Sequence, residues 1–426
     1  MRVLIVSYYF PPAGGGGVQR VLKLCKHLPE LGWDVEVLAP DDPKWSASDP
    51  GLAAEVPPAT VVHRARYRGP SHQQTAVDRL ASTAGIRGLA TRGAVHGRRF
   101  LLPDAEVVWV PDAARAAVRL VRERAIDLVM TTSPPVSVHL IGSVVARRTG
   151  VPWVADLRDS WLANPHRRYQ RRSVRAKRRV EERIARLALR PVSGLVSVTD
   201  VIEEEARALA PAGVPSAVVA NGCDFDEFAG LEHRRGQQLE VLHAGSFFGN
   251  RSPRPFLLGV RRLLDGRPEL RDILRVRFVG GFRNSDREWA GTLGLRDVLS
   301  IERFLPHVEA LAAMKAASAL LLLIPGSGGL GATVLSGKLY EYLAAERPVL
   351  AMVPSHGRAA EVLRETGFAW IVEPDDDVAA AAALGEICDR WIAGGLDDRI
   401  LPAELRARLD RRARAAELAD LFRRVR

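Results

Sequence analysis

The chain has 426 residues, 47% of them hydrophobic and 26% charged, a balance that supports large buried cores and excludes broad disorder. At roughly 100 to 200 residues per domain, this length predicts two to four domains. Lys plus Arg total 61 against 50 Asp plus Glu, a net charge of +11, which points to an anionic partner: nucleotide, nucleic acid or acidic lipid. Cys25, Cys223 and Cys388 form no CxxC pair, which argues against a disulfide framework or thiolate zinc site and fits a reducing, cytoplasmic setting. No segment approaches the ~20 consecutive apolar residues that cross a bilayer.

Met1-Arg2-Val3-Leu4-Ile5-Val6-Ser7 is too short for the apolar core of a signal segment and reads as a first strand. Further short apolar runs bounded by turn residues follow at 35–38, 128–131, 153–155, 195–198 and 218–220. The rhythm repeats at 239–242, 276–279, 320–324, 349–353 and 369–372. Helix-like stretches separate the runs, so the fold class expected is α/β, with two Rossmann-like, doubly wound parallel sheets. The predicted boundaries are 1–224 for the N-terminal domain, 225–238 for a polar linker and 239–400 for the C-terminal domain. Residues 401–426 read as an exposed amphipathic helix, with the N-terminal domain as the surface it would pack back on. Residues 41–103 show weak periodicity and read as excursions bordering a cleft.

Two glycine-rich segments carry the first chemical signal. Pro11-Pro12-Ala13-Gly14-Gly15-Gly16-Gly17-Val18-Gln19-Arg20 joins the first strand to a helical pattern, where unpaired backbone N–H groups bind anions. Gly326-Ser327-Gly328-Gly329-Leu330-Gly331 follows the run 320–324 and matches G-x-G-x-x-G in a strand-to-helix context. Two helix N-termini supply about one positive charge against about two negative charges on a diphosphate, so side-chain cations must supply the rest. Arg251, after the strand 239–242, and Lys338, at the start of a helix, are the candidates. Glu341 shares a helical face with Lys338; it reads either as a ribose contact or as an i,i+3 ion-pair partner.

At mid-chain, Asn221-Gly222-Cys223-Asp224-Phe225-Asp226-Glu227-Phe228 resembles the N-G-x-D-x-x-x-F signature of GT-B glycosyltransferases, especially the retaining family-four group. The Pro11–Arg20 segment resembles that group's phosphate loop, and Ser336-Gly337-Lys338-Leu339-Tyr340-Glu341 opens a stretch like its donor-binding helix. Asp156-Leu157-Arg158-Asp159-Ser160-Trp161 resembles a D-x-R-D-x-W element of its bacterial members. Thr333 stands where the family's E-x7-E pattern places its first Glu, and Arg158 stands where a histidine is often found.

The resemblance implies two Rossmann-like domains, an acceptor held mainly by the first and a nucleotide-sugar donor held mainly by the second. It implies transfer with retention, no metal and no cofactor, the nucleotide sugar being a substrate. Gly16 and Gly17 would meet the diphosphate through main-chain N–H, Arg251 and Lys338 would neutralise it, and Glu341 would hold the ribose. Gly329, Leu330, Gly331 and Thr333 would face the donor sugar, and the base would lie against Phe304 and Leu305.

Asp156, Arg158 and Asp159 follow the strand 153–155, so they emerge at the sheet's carboxyl edge as catalytic candidates or as a buried Asp–Arg pair bracing the loop. Ser133 and Pro134 end another strand on that edge and read as acceptor contacts. His139, four residues after Pro135, reads as a further acceptor contact or an ordinary helix residue.

Residues 167–190 hold eleven Lys or Arg against Glu181 and Glu182. They read as a helix with one solvated face, or as a surface for anionic lipid that would suit a lipid-linked acceptor. Two rival functions stand beside the transferase. One is a dinucleotide-dependent oxidoreductase with Asp41 on the ribose. The other is a nucleic-acid-binding protein using 167–190, a stretch that lacks a stacking platform.

Overall fold

The computed structural model describes the chain apart from residues 42, 44, 46, 47, 70–100, 163–171, 248, 249 and 397–399, and the side chains of 172–176, 328 and 330. Half of the expected 41–103 excursion and the first part of the basic stretch therefore lie outside the described residues. Two compact units are present, one formed by 1–220 with 414–426 and the other by 221–413. The first unit ends before residue 224 because Cys223 is tied to the far end of the second. Its N–H donates to Leu409 O at 2.6 Å, and its carbonyl accepts from Arg411 N at 3.0 Å.

The first unit contains seven parallel strands in the order β3-β2-β1-β4-β5-β6-β7. They are β1 (Arg2–Ser7), β2 (Asp34–Pro40), β3 (Val61–Ala65), β4 (Leu128–Ser133), β5 (Trp153–Leu157), β6 (Gly194–Ser197) and β7 (Ser216–Val218). β1 is apolar from Val3 to Val6 because both of its faces are covered. Leu4 and Val6 enter one core, while Val3 and Ile5 enter the other. The final helix, Arg411–Val425, supplies part of that second core through Leu418, Leu421 and Phe422. Phe422 packs edge-on against Trp33 with ring centroids 5.2 Å apart.

The second unit contains six parallel strands in the order β10-β9-β8-β11-β12-β13. They are β8 (Leu239–Ala244), β9 (Leu274–Val279), β10 (Leu299–Glu302), β11 (Ala319–Leu323), β12 (Val349–Met352) and β13 (Ala369–Val372). Helices Arg254–Gly266 and Asp377–Ile392 pack closely against each other. Gly259 allows this approach: a Cβ there would lie 3.0 Å from Ala380 Cβ and 3.0 Å from Asp377 O.

Two strands escaped the sequence pattern, β3 and β10. Both are edge strands, and their partial exposure admits residues such as His63, Arg64 and Glu302 that break an apolar run. The segment 401–426 is two helices, Ala403–Leu409 and Arg411–Val425, instead of one exposed helix. Its arginines suggested exposure, and Arg412, Arg423 and Arg424 are exposed, but Leu418, Leu421 and Phe422 of the same helix are each 0% exposed.

Candidate functional site

In each sheet the strand order reverses once, between β1 and β4 in the first unit and between β8 and β11 in the second. At such a reversal the loops leaving the strand ends diverge, which makes room for a ligand. In the first unit the β1 loop runs into helix Gly16–His27, capped by Gly15 at φ 90° with no acidic residue in the first turn. Its opening N–H groups lack intrahelical partners by geometry and carry the positive end of the helix dipole. A Cβ on Gly16 would meet nothing within 4 Å among the described residues, and one on Gly17 would touch the Tyr9 ring at 3.4 Å.

Two arginines organise this edge. Arg20, 6% exposed, makes a two-pronged ion pair with the fully buried Asp156: Nε to Oδ2 and Nη2 to Oδ1 are both 2.9 Å. Thr132 Oγ1 also donates to Asp156 Oδ2, at 2.7 Å. Arg158 takes a different path. Its Nε donates to Ser133 O at 2.5 Å and its Nη1 to Gly17 O at 2.8 Å, so one guanidinium bridges the β4 loop and the glycine loop. Its Nη2 is buried with no partner among the described residues. Burial pulls the Arg158 pKa down, Asp156 partly opposing.

The bracing pair is therefore Asp156 with Arg20, not with Arg158, and Asp156 is 0% exposed. Asp159 is exposed. Ser133 is buried and Pro134 partly exposed at the mouth of the β4 loop. His139, expected beside an acceptor, is wholly interior. Thr131 Oγ1 lies 2.8 Å from its Nδ1, Trp161 stacks at 5.5 Å, and burial pushes its pKa down to about 3. The loop after β5 is held by Glu205, which accepts from Ser160 Oγ at 2.6 Å, Trp161 N at 2.7 Å and Leu162 N at 3.2 Å.

In the second unit, Ser336 caps helix Gly337–Ala345 by accepting from Lys338 N at 3.2 Å. Lys338 Nζ and Glu341 Oε2 are 3.6 Å apart, with side chains 26% and 17% exposed, so the i,i+3 pair forms and is largely buried. Tyr342, from the next position, anchors the helix to β8 by accepting from Ala244 N at 3.0 Å. Arg251 is in the loop after β8, and burial pulls its pKa down. Burial depresses the pKa of His243, at the end of β8, to about 3, with the Lys338 and Arg251 charges lowering it further.

The second glycine run departs from expectation. Residues Ser327–Thr333 wind into a 3-10 helix, and the N–H groups of Gly329 and Gly331 are spent on Gly326 O at 3.0 and 3.1 Å. Those two amides are therefore closed to a phosphate. A Cβ on Gly331 would fall 1.9 Å from Pro325 O, so this glycine serves a tight backbone turn. Thr333 ends the turn half-buried. Leu330 belongs to the same segment, and its side chain lies outside the described ones. Phe304 is 44% exposed after β10, with Leu305 partly covered beside it.

Arg20, Thr132, Glu205 and His243 are site-forming residues that the sequence did not single out. Arg20 was visible in the glycine motif, but its partner is 136 positions away. Nothing local marked Glu205.

Residues 15–222, a little under half of the chain and almost all of them in the first unit, are similar to the glycosyl transferase 4-like domain. Two curated relatives are similar over shorter stretches. A probable glycosyltransferase, WbjE of Pseudomonas aeruginosa, is 37% identical over 85 residues, covering 20% of each chain. The D-inositol 3-phosphate glycosyltransferase of Streptomyces scabiei is 30% identical over 191 residues, covering 41% of each. The chain thus spans well under half the length of the curated relatives it matches.

Solved structures match over nearly the whole chain. Sucrose-phosphate synthase from Thermosynechococcus elongatus aligns with a TM-score of 0.64 at 16% identity, covering 99% of this chain and 98% of that one. HepE from Anabaena in complex with UDP-glucose gives 0.64 at 13% identity, covering 99% and 98%. A UDP-forming trehalose-phosphate synthase from Burkholderia xenovorans gives 0.65 at 13% identity, covering 99% of both. The fold is GT-B: two α/β units, each built on a parallel sheet.

Proposed function

We propose that this chain is a glycosyltransferase that moves a sugar from a nucleoside-diphosphate sugar to an acceptor hydroxyl, with retention and without a metal. The observation that carries this reading is the Lys338 stem, which lies against Gly245 at the end of β8 with His243 beside it, where the strand order of the second sheet reverses and the loop bearing Arg251 leaves. A departing diphosphate needs fixed positive charge at that kind of position. The similarity of residues 15–222 to the glycosyl transferase 4-like domain supports the same reading.

In this mechanism Lys338 and Arg251 stabilise the leaving diphosphate, Glu341 accepts from the ribose hydroxyls, and Phe304 with Leu305 borders the base. Gly16 and Gly17 meet a phosphate-bearing ligand through their N–H groups. Without a protein nucleophile, the acceptor hydroxyl attacks from the face the diphosphate leaves, so charge stabilisation carries most of the rate. The Gly329–Thr333 turn meets the donor sugar through side chains or carbonyls, since the amides of Gly329 and Gly331 are occupied.

UDP is the first nucleotide to test, because HepE and the trehalose-phosphate synthase are named with UDP. Calorimetry with UDP, GDP, ADP and NAD, followed by UDP-sugar hydrolysis, tests the proposal. One nucleoside diphosphate is expected to bind, and Arg251→Ala or Lys338→Ala to lose most turnover while remaining folded. Binding of NAD alone, or near-normal rates in both variants, would overturn it.

The acceptor is proposed to be membrane-borne. Helix Arg172–Leu189 exposes Val180 (48%) and Leu187 (45%) on a surface that also exposes Arg178, Arg179, Arg183 and Arg186. Adsorption to anionic lipid at about 1 kcal/mol per basic residue follows from that pattern. Vesicles rich in anionic lipid should retain the protein at low salt and release it at high salt; no retention at low salt removes this part.

A further inference from the structure

Gly245, the first residue after β8, is a glycine with no backbone reason to be one. It is absent from the positive-φ positions of the chain, so its conformation suits any residue. What it lacks is room. An ideal Cβ at 245 would fall 2.3 Å from Lys338 Cε and 2.9 Å from Lys338 Cδ, with His243 Nε2 at 3.3 Å. The stem of Lys338 therefore crosses the space that a side chain at 245 would occupy.

His243 faces the same point. Its Nδ1 lies 2.8 Å from Leu321 O, an acceptor, so Nδ1 carries the proton and Nε2 is a bare lone pair. Nε2 is buried and without a partner among the described residues. Burial keeps the ring neutral, so it places no positive charge against the lysine.

We infer that Gly245 is the positioning residue for Lys338: its missing side chain sets the path of the lysine stem, with the His243 lone pair lining that path, and so fixes where the ammonium meets a diphosphate. This deepens the proposed function and rests on Lys338 meeting that diphosphate. Everything a methyl group at 245 would strike hardest is the far end of one flexible side chain, so the fold tolerates the change and the lysine yields.

The test is a double-mutant cycle on the full chain with UDP, comparing the parent with Gly245→Ala, Lys338→Ala and the double variant by calorimetry and thermal melting. Gly245→Ala is expected to weaken UDP binding on the order of ten-fold, the value of one misplaced charge-assisted contact, with Tm nearly unchanged. In the Lys338→Ala background the same substitution should cost nothing further, an effect that general damage to the loop cannot produce. If Lys338→Ala binds UDP normally, the diphosphate assignment is wrong. If Lys338→Ala loses binding while Gly245→Ala keeps it, or if the two losses simply add, the positioning role of Gly245 is wrong.

Discussion

Arg20 and Arg158 stand at the same sheet edge and do opposite jobs. Arg20 is neutralised by a buried carboxylate in a two-pronged pair, whereas Arg158 spends its donors on two carbonyls and keeps Nη2 unmatched. Removing one member of a buried pair leaves the other charge uncompensated, a loss of about 3 to 5 kcal/mol. Asp156→Asn is therefore expected to lower the urea midpoint of the first unit sharply, read by near-ultraviolet circular dichroism. A variant with lost turnover and an unchanged midpoint would instead make Asp156 a participant in the chemistry.

Two histidines set a pH dependence. His139 and His243 are each buried to a pKa of about 3, against 6.5 when unfolded. The unfolded chain binds their protons first, so the stability they contribute is present above pH 6.5 and is lost as pH falls toward 3. Between pH 7 and pH 5 each should remove about 2 kcal/mol. Urea titrations at the two pH values check this, and His243→Gln should shrink the difference.

At the scale of elements, one carboxylate holds three donors of the loop after β5. Glu205 satisfies one hydroxyl and two backbone N–H groups of residues 160–162, and hydrogen bonds to a charged group are worth about 1.5 to 3 kcal/mol each. Glu205→Ala is expected to raise amide exchange across 158–162 and lower Tm by several degrees, while exchange in β4 stays slow. The β1 loop and helix Gly16–His27 are tied to this region through Arg158 and Gly17 O, so their exchange should rise modestly in the same variant.

At the scale of the whole molecule, the chain returns to its first unit at the end. Helix Arg411–Val425 gives that unit Ala415, Leu418, Ala419, Leu421 and Phe422, none more than 1% exposed. Truncation after Ala413 uncovers them together and should cost the first unit its cooperative unfolding, seen by calorimetry, while the second unit still melts. A saturating nucleoside diphosphate should raise Tm of the intact chain; about 2.7 kcal/mol is gained at a hundred times Kd.

Much of the architecture was legible because parallel strands covered on both faces must be apolar along their length, and turn residues must separate them. That reasoning located β1, β2, β4, β5 and β6 and most of the second sheet, including its edge strand β13, and it missed the edge strands β3 and β10. Among the candidate site residues, Lys338 with Glu341 was readable because three positions along a helix share a face. The closed turn at Ser327–Thr333 was not, since open and wound glycine runs have the same composition.

The linear order of residues determined by itself the alternation of strands and helices, the glycine-rich helix entry and the cationic character of the strand ends, because these are local or periodic properties. Only the tertiary structure decided that Arg20, not Arg158, neutralises Asp156, that His139 is interior, and that Lys338 crosses the space left by Gly245. The physical reason is one of distance: each depends on groups brought together across the chain by packing, and a partner 93 or 136 positions away leaves no trace in local pattern.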